Sequence, residues 1–149
     1  MFRRKLAAAF AAALTLVLTP GCGSSTKDYI PNSTTAREDL DMALAAWQKG
    51  AKAADLTKGE HPIFIVDSQW DAGQALESYQ ILEESPGQIE TEKRYGVVLK
   101  MKKPPAEKKL EYVVLGRSPM WIFRDEDFIK QGSMGEEVNT KTKNARRKR

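Results

Sequence analysis

The residues best suited to chemistry lie close together near the middle of the chain. Asp67, Trp70, Asp71 and Tyr79 combine two carboxylates, an indole and a phenol within one short stretch. If residues 68–73 form a helical turn, Asp67 and Asp71 are four positions apart and lie on one side of it. A carboxylate can act as a general base and a tyrosine as a hydrogen-bond donor. This spacing therefore indicates a candidate catalytic group of Asp67, Asp71 and Tyr79.

The same residues also have a purely structural interpretation, which we favour. Asp67 has the position of a helix cap, and Asp71 is then solvated. Trp70 and Tyr79 become core aromatic residues whose polar tips bond to the backbone. Only a concave pocket that holds one of the carboxylates beside a second polar group would favour catalysis.

Other catalytic chemistries have little support in the sequence. His61 is the only histidine and precedes Pro62 in a polar loop, so it has neither a second histidine nor a nearby cysteine as a co-ligand. Serine or cysteine catalysis would need His61 as the base, and no nucleophile-elbow pattern occurs. The glycines are isolated at turns, so no phosphate-binding loop is indicated. The sequence predicts no metal site and no cofactor.

The N-terminus has the pattern of an export signal. Residues 1–5 carry three positive charges, residues 6–18 are almost wholly apolar, and Thr19, Pro20 and Gly21 lead to Cys22. The apolar run is shorter than the ~20 residues that a helix needs to cross a bilayer. A cysteine directly after such a run resembles a bacterial lipoprotein signal, which implies lipidation of Cys22 and a periplasmic or exterior location on a membrane. Two alternatives remain: an ordinary secretory signal cut near Gly21 or Gly23, which gives a secreted protein, and an uncleaved anchor.

The charge distribution separates an acidic body from a basic tail. The chain has a formal net charge of +4, but removing the three N-terminal charges and the six of residues 141–149 leaves residues 22–137 at −5. A nucleic-acid-binding domain would carry its basic residues on one face of the fold, so no nucleic acid is expected as a partner. The tail either attaches to an anionic surface or keeps the domain soluble. Its last four residues carry most of this charge: Arg146, Arg147, Lys148 and Arg149.

The pattern of apolar residues predicts one long helix followed by strands. Thr35 and Glu38 have the spacing of a capping box, an apolar stripe runs to Trp47, and Gly50 ends the helix. Residues 62–66 favour a short strand or extended segment. An antiparallel meander of four strands is predicted at residues 76–84, 94–102, 109–115 and 120–124. The predicted fold class is α+β, with the helix packed on the meander.

Particular stretches resemble a known fold family. Three stretches look like uncharacterised bacterial envelope proteins with a cystatin-like roll: residues 43–50 (ALAAWQKG), residues 62–76 with Val66, Asp67, Trp70, Asp71 and Gly73, and residues 79–81. This roll is similar to that of nuclear-transport-factor-two-like and polyketide-cyclase-like proteins. In enzymes with such a roll, a carboxylate and a tyrosine face the cavity. Because the roll hosts both enzymes and binding modules, it implies no reaction.

These observations predict four segments and one function. The segments are a signal peptide (1–21), a flexible tether (22–34), a cystatin-like domain (35–131) and a disordered basic tail (132–149). The predicted function is binding or scaffolding at the membrane, with its ligand and any protein partner open. The alternative is a small-molecule isomerase, dehydratase or hydrolase that uses Asp67, Asp71 and Tyr79.

Overall fold

The computed structural model describes residues 29–132, and its first element is the long helix α1, Ser33–Gln48. The N-cap lies three residues before the predicted one, Thr35, so the helix begins inside the segment predicted to be a tether. Asn32 is the N-cap, and its side-chain oxygen accepts a hydrogen bond from the backbone N–H of Thr34 at 2.8 Å. Asparagine caps at least as well as threonine, so it takes the place that the capping-box spacing assigned to Thr35.

One mixed sheet of five strands follows α1, with the strand order β1-β5-β4-β3-β2. The α+β class is confirmed, but the prediction of a four-stranded antiparallel sheet is not. The fifth strand is β1, which pairs in parallel with β5 and so extends the sheet beyond the meander. The strands are β1 (Ile63–Val66), β2 (Leu76–Ser85), β3 (Glu92–Lys102), β4 (Pro105–Leu115) and β5 (Met120–Arg124).

Two short helices lie between α1 and β2. A 3-10 helix spans Ala53–Thr57, and a single α-turn, α2, spans Ser68–Asp71. A further helical segment begins after β5 and covers residues 125–132. Sequence periodicity did not predict this last segment, because only Phe128 and Ile129 interrupt its charged residues.

One hydrophobic cluster contains buried residues of α1 and of the sheet. The alternation along β3 places Tyr95, Val97, Leu99 and Met101 on one face of the sheet, as their period of two predicts. They form one cluster with the buried stripe of α1: Ala36, Leu40, Ala43, Leu44 and Trp47. Apolar burial of this kind is the main stabilising term of the domain.

The other face of the sheet carries an ionic network and a row of aromatic rings. Arg94 is buried, and its guanidinium donates to Glu92 at 2.8 Å and to Asp125 at 2.7 Å. Beside it, the rings of Phe64 and Trp121 stack with centroids 4.6 Å apart. This face therefore differs in character from the apolar core around α1.

No helix among residues 29–132 has the length and apolar character to cross a membrane. The predicted signal peptide, Cys22, most of the predicted tether and the basic tail beyond residue 132 lie outside the described residues.

Candidate functional site

The site is built from two helix ends that share one sequence pattern, W-x-x-G. At the end of α1, Trp47 is followed by Gly50, which has a φ of 84°. The N–H of Gly50 donates to the carbonyl of Trp47 and the N–H of Ala51 to that of Ala46, which together make a Schellman motif. A side chain at Gly50 would meet open space, so it is the left-handed backbone that favours glycine here.

The end of α2 repeats this geometry. Trp70 is followed by Gly73 with a φ of 77°. The N–H of Gly73 donates to the carbonyl of Trp70, and the N–H of Gln74 donates to that of Gln69. Each tryptophan thus occupies the same position relative to the glycine that ends its helix.

The two helix ends are joined by hydrogen bonds and by stacking of their tryptophans. The indole N–H of Trp47 donates to the carbonyl of Gln74 at 2.7 Å, and that of Trp70 donates to the carbonyl of Ala51 at 2.9 Å. Gln74 and Ala51 directly follow the two terminating glycines, so the hydrogen bonds are reciprocal. The rings stack with centroids 5.2 Å apart and an interplanar angle of 5°. We call this unit the tryptophan clasp: Trp47, Gly50, Ala51, Trp70, Gly73 and Gln74.

An open pocket of about 550 Å³ lies against the clasp. Trp47 and Trp70 are among the lining residues but contribute little surface, because they are only 2% and 6% exposed. The other lining residues are small or apolar residues and several charged residues. Beyond the clasp, the lining includes Ala53, Ala54, Asp71, Ala75, Leu76, Lys49, Lys52 and Lys102.

Two buried carboxylates fix α2, and with it Trp70. Asp67 is the N-cap, as the sequence predicts, and accepts hydrogen bonds from the N–H groups of Gln69 at 2.8 Å and Trp70 at 3.2 Å. Asp127 accepts from the N–H of Ser68 at 2.8 Å. Burial favours the neutral form of Asp127, but the hydrogen bonds from Ser68 and Lys130 outweigh burial and lower its pKa. The first turn of α2 therefore has its N–H groups satisfied by the side chains of Asp67 and Asp127.

Asp67 also belongs to a buried polar group in the core. The hydroxyl of Tyr112 donates to its carboxylate, and a guanidinium nitrogen of Arg124 lies 3.9 Å from it. Burial, and next the neighbouring carboxylate, raise the pKa of Tyr112 well above its ordinary value, so its hydroxyl stays protonated and remains a donor. Asp67 is 1% exposed and Arg124 4%. We call Asp67, Tyr112 and Arg124 the buried triad.

Tyr79 lies elsewhere, in a groove of about 600 Å³ between α1 and β2. Its hydroxyl donates to the carboxylate of Asp41 at 2.9 Å. Burial and this hydrogen bond raise the pKa of Tyr79 to about 12. The hydroxyl of Tyr79 is therefore already used as a hydrogen-bond donor to Asp41.

The three residues of the predicted catalytic group are not brought together. Asp67 is sealed in the core, Asp71 is exposed at the clasp pocket, and Tyr79 lines the groove on α1. Among the described residues, Asp67 has a hydrogen-bonded tyrosine but lines neither of these two cavities. Asp71 lines a cavity, but its side chain forms no hydrogen bond within residues 29–132. Neither carboxylate combines the two features that a general base in a pocket requires.

His61 contacts one carboxylate among the described residues. Its Nε2 lies 2.9 Å from a carboxylate oxygen of Asp39, which is buried on α1. Within residues 29–132, no group of three or more histidine, cysteine or acidic side chains is arranged to hold a metal ion.

Sequence reasoning identified both tryptophans as core residues but missed the clasp. The available signal was the repeated W-x-x-G pattern at residues 47–50 and 70–73. Tyr112 and Arg124 gave no comparable signal, because a tyrosine and an arginine on separate strands are common and their partner Asp67 is distant in sequence.

Comparison of the chain with protein-family models, curated proteins and solved structures gives no match.

Proposed function

We propose that this protein is a membrane-tethered envelope domain that binds a small molecule in the pocket at the tryptophan clasp. The pocket carries the proposal: its volume of about 550 Å³ falls within the ~300–1,000 Å³ range of small-molecule sites. Its walls combine apolar side chains with a few charged groups, as such sites do. The clasp makes the pocket rigid, because both indole N–H groups are already bonded to the backbone.

Binding accounts for the polar groups better than catalysis does. The hydroxyls of Tyr79 and Tyr112 both donate to carboxylates of the protein itself. An isomerase, dehydratase or hydrolase would need a carboxylate that faces the ligand beside a free donor. We therefore assign Asp67 to the core and Asp71 to the rim of the pocket, with no catalytic role for either.

The fold proposal is a cystatin-like roll, in which the sheet curves around α1. The apolar stripe of α1 shares one core with residues of all five strands, which supports this arrangement. The clasp would then lie at one end of the roll, where α1 ends and β2 begins.

The tether is proposed from the sequence alone. Lipidation of Cys22 would fix the domain to a membrane and leave it facing the periplasm or the exterior. The six charges of the basic tail, all within residues 141–149, would then lie near an anionic surface, where each charge contributes about 1 kcal/mol.

Replacing Cys22 with serine tests the tether. We expect Cys22→Ser to move the protein from the membrane to the soluble fraction and to abolish labelling by radioactive palmitate. Serine lacks the thiol that accepts the lipid, so the signal is left without its attachment site. A wild-type protein that carries no label and fractionates as soluble would contradict the proposal.

A fragment screen tests binding itself. We expect small apolar and amphiphilic fragments to raise the melting temperature of the wild-type domain, since ligands that bind only the folded state stabilise it. Ala75→Trp, which narrows the pocket from its wall, should remove the response while an exposed control, Glu77→Gln, retains it. If no fragment stabilises the wild type, or if Ala75→Trp responds as the wild type does, the pocket is not a binding site.

A further inference from the structure

Charge around the clasp pocket is opposite in sign to that of the rest of the domain. The charged residues that line the pocket are Lys49, Lys52, Lys102 and Asp71, so positive charge predominates there. Residues 29–132 as a whole carry 17 carboxylates and 14 lysine and arginine side chains. A basic pocket on an acidic body attracts anions to that place in particular.

Among the described residues, none of these three lysines forms an ion pair within 4.0 Å, although Lys52 acts electrostatically on the carboxylate of Asp55. Lys58, Lys93, Lys100 and Lys130 each form an ion pair within 4.0 Å. Among residues 29–132, neither Lys49 nor Lys102 does. Lys49 follows α1 directly, where the helix dipole favours a cation. Lys102, at the end of β3, is exposed and lines the pocket, so its charge is available to a ligand of negative charge.

The other lining residues of the pocket favour a ligand that is apolar apart from its charged group. The apolar lining residues are Ala53, Ala54, Ala75, Leu76 and the two tryptophans of the clasp. No arginine is among the lining residues. Phosphate sites typically use arginine forks or clusters of backbone N–H groups, whereas lysines act as single point charges. These features suit a monoanion with an apolar body.

We infer that the clasp pocket binds an organic carboxylate whose apolar body lies against the alanine and tryptophan wall and whose carboxylate lies between Lys49 and Lys102. This inference rests on the proposed function, because it names the ligand class of the same pocket. Two sources share this chemistry: a fatty acid released from lipid and a soluble aromatic acid.

Calorimetric titration with matched acids and alcohols tests the inference. The probes are decanoate against decanol for the lipid-derived source, and 1-naphthoate against 1-naphthylmethanol for the aromatic source. We expect at least one acid to bind about three- to tenfold more tightly than its alcohol, the advantage that exposed charge pairs supply. This advantage should shrink as salt is added, because exposed charges are screened.

Lysine variants test whether the tighter binding of the acid arises at the clasp pocket. The double variant Lys49→Gln/Lys102→Gln should bind acid and alcohol equally. The matched control is Lys103→Gln/Lys109→Gln, which changes two exposed lysines that do not line the pocket. This control should keep the wild-type preference for the acid. Melting temperatures of all variants confirm that each is folded. An alcohol that binds as tightly as its acid, or a preference that survives in Lys49→Gln/Lys102→Gln, overturns the carboxylate assignment and leaves the binding function in place. If neither acids nor alcohols bind, the carboxylate assignment is wrong, and the fragment screen decides whether the proposed function fails with it.

Discussion

Replacing Asp67 with asparagine should destabilise the domain by about 3–5 kcal/mol, the cost of removing one partner of a buried ion pair. Asparagine can still accept the hydrogen bonds of the α2 cap, since it caps helices nearly as well as aspartate. It cannot replace the buried charge beside Arg124, because the other carboxylate there, Glu126 at 3.2 Å from one Nη, is exposed to solvent. The Nε and the other Nη of Arg124 already have no hydrogen-bond partner within residues 29–132. Urea denaturation at neutral pH measures the loss.

Asp71→Asn is the matched control for this prediction. Asp71 is four residues further along and exposed, so the same chemical change should alter stability by less than about 0.5 kcal/mol. A second variant, Asp67→Asn/Arg124→Met, removes both charges and should recover part of the loss, since apolar replacement of a buried pair is often tolerated. An Asp67→Asn protein as stable as the wild type would show that the buried triad does not carry a charge pair. A clear rise in stability for Asp71→Asn would favour the alternative in which Asp71 is a strained general base.

Replacing Trp47 with alanine should cost a comparable amount, about 3–5 kcal/mol. The change removes a buried aromatic side chain, its stacking on Trp70, and the donor to the carbonyl of Gln74. Stacking alone contributes about 0.5–1.5 kcal/mol beyond the area buried. Thermal and urea unfolding measure the total, and loss of the exciton couplet in circular dichroism reports the loss of the stacked pair.

Two further variants separate the parts of this effect. Trp47→Phe keeps a ring but removes the indole N–H, so it should cost less than alanine while still leaving the carbonyl of Gln74 without its donor. Trp121→Ala removes a ring that is 38% exposed on the other face of the sheet, so it should cost less than Trp47→Ala and leave the couplet unchanged. A melting temperature for Trp47→Ala near that of the wild type would mean that the clasp does not hold α1 and α2 together.

Features that depend on local sequence could be predicted. The stripe of α1 and the alternation along β3 are visible within one turn or one strand, so their buried faces follow from spacing alone. The cap at Asp67 is also local, because it bonds to residues two and three positions away. The start of α1 was misplaced for the same reason, since Asn32 and Thr35 are both good caps within one turn.

Features that depend on contacts across the chain could not be predicted. The parallel pairing of β1 with β5 joins Ile63 to Met120, and a strand as short as β1 does not specify a distant partner. Tyr112 lies 45 residues from Asp67, so the buried triad has no local signature. The clasp could be predicted only in part. Its two W-x-x-G patterns are visible in the sequence, but its reciprocal hydrogen bonds form only in the folded chain.

The indole N–H resonances of the three tryptophans test the central claim most directly, because each reports one location. A ¹⁵N-labelled domain is titrated with the fragment that stabilises it most. We predict that the indole resonances of Trp47 and Trp70, two of the lining residues, shift together with a single affinity, while that of Trp121 on the opposite face does not move. A ligand that shifts Trp121 and leaves the other two unchanged would contradict the claim that the clasp pocket is the binding site of this protein.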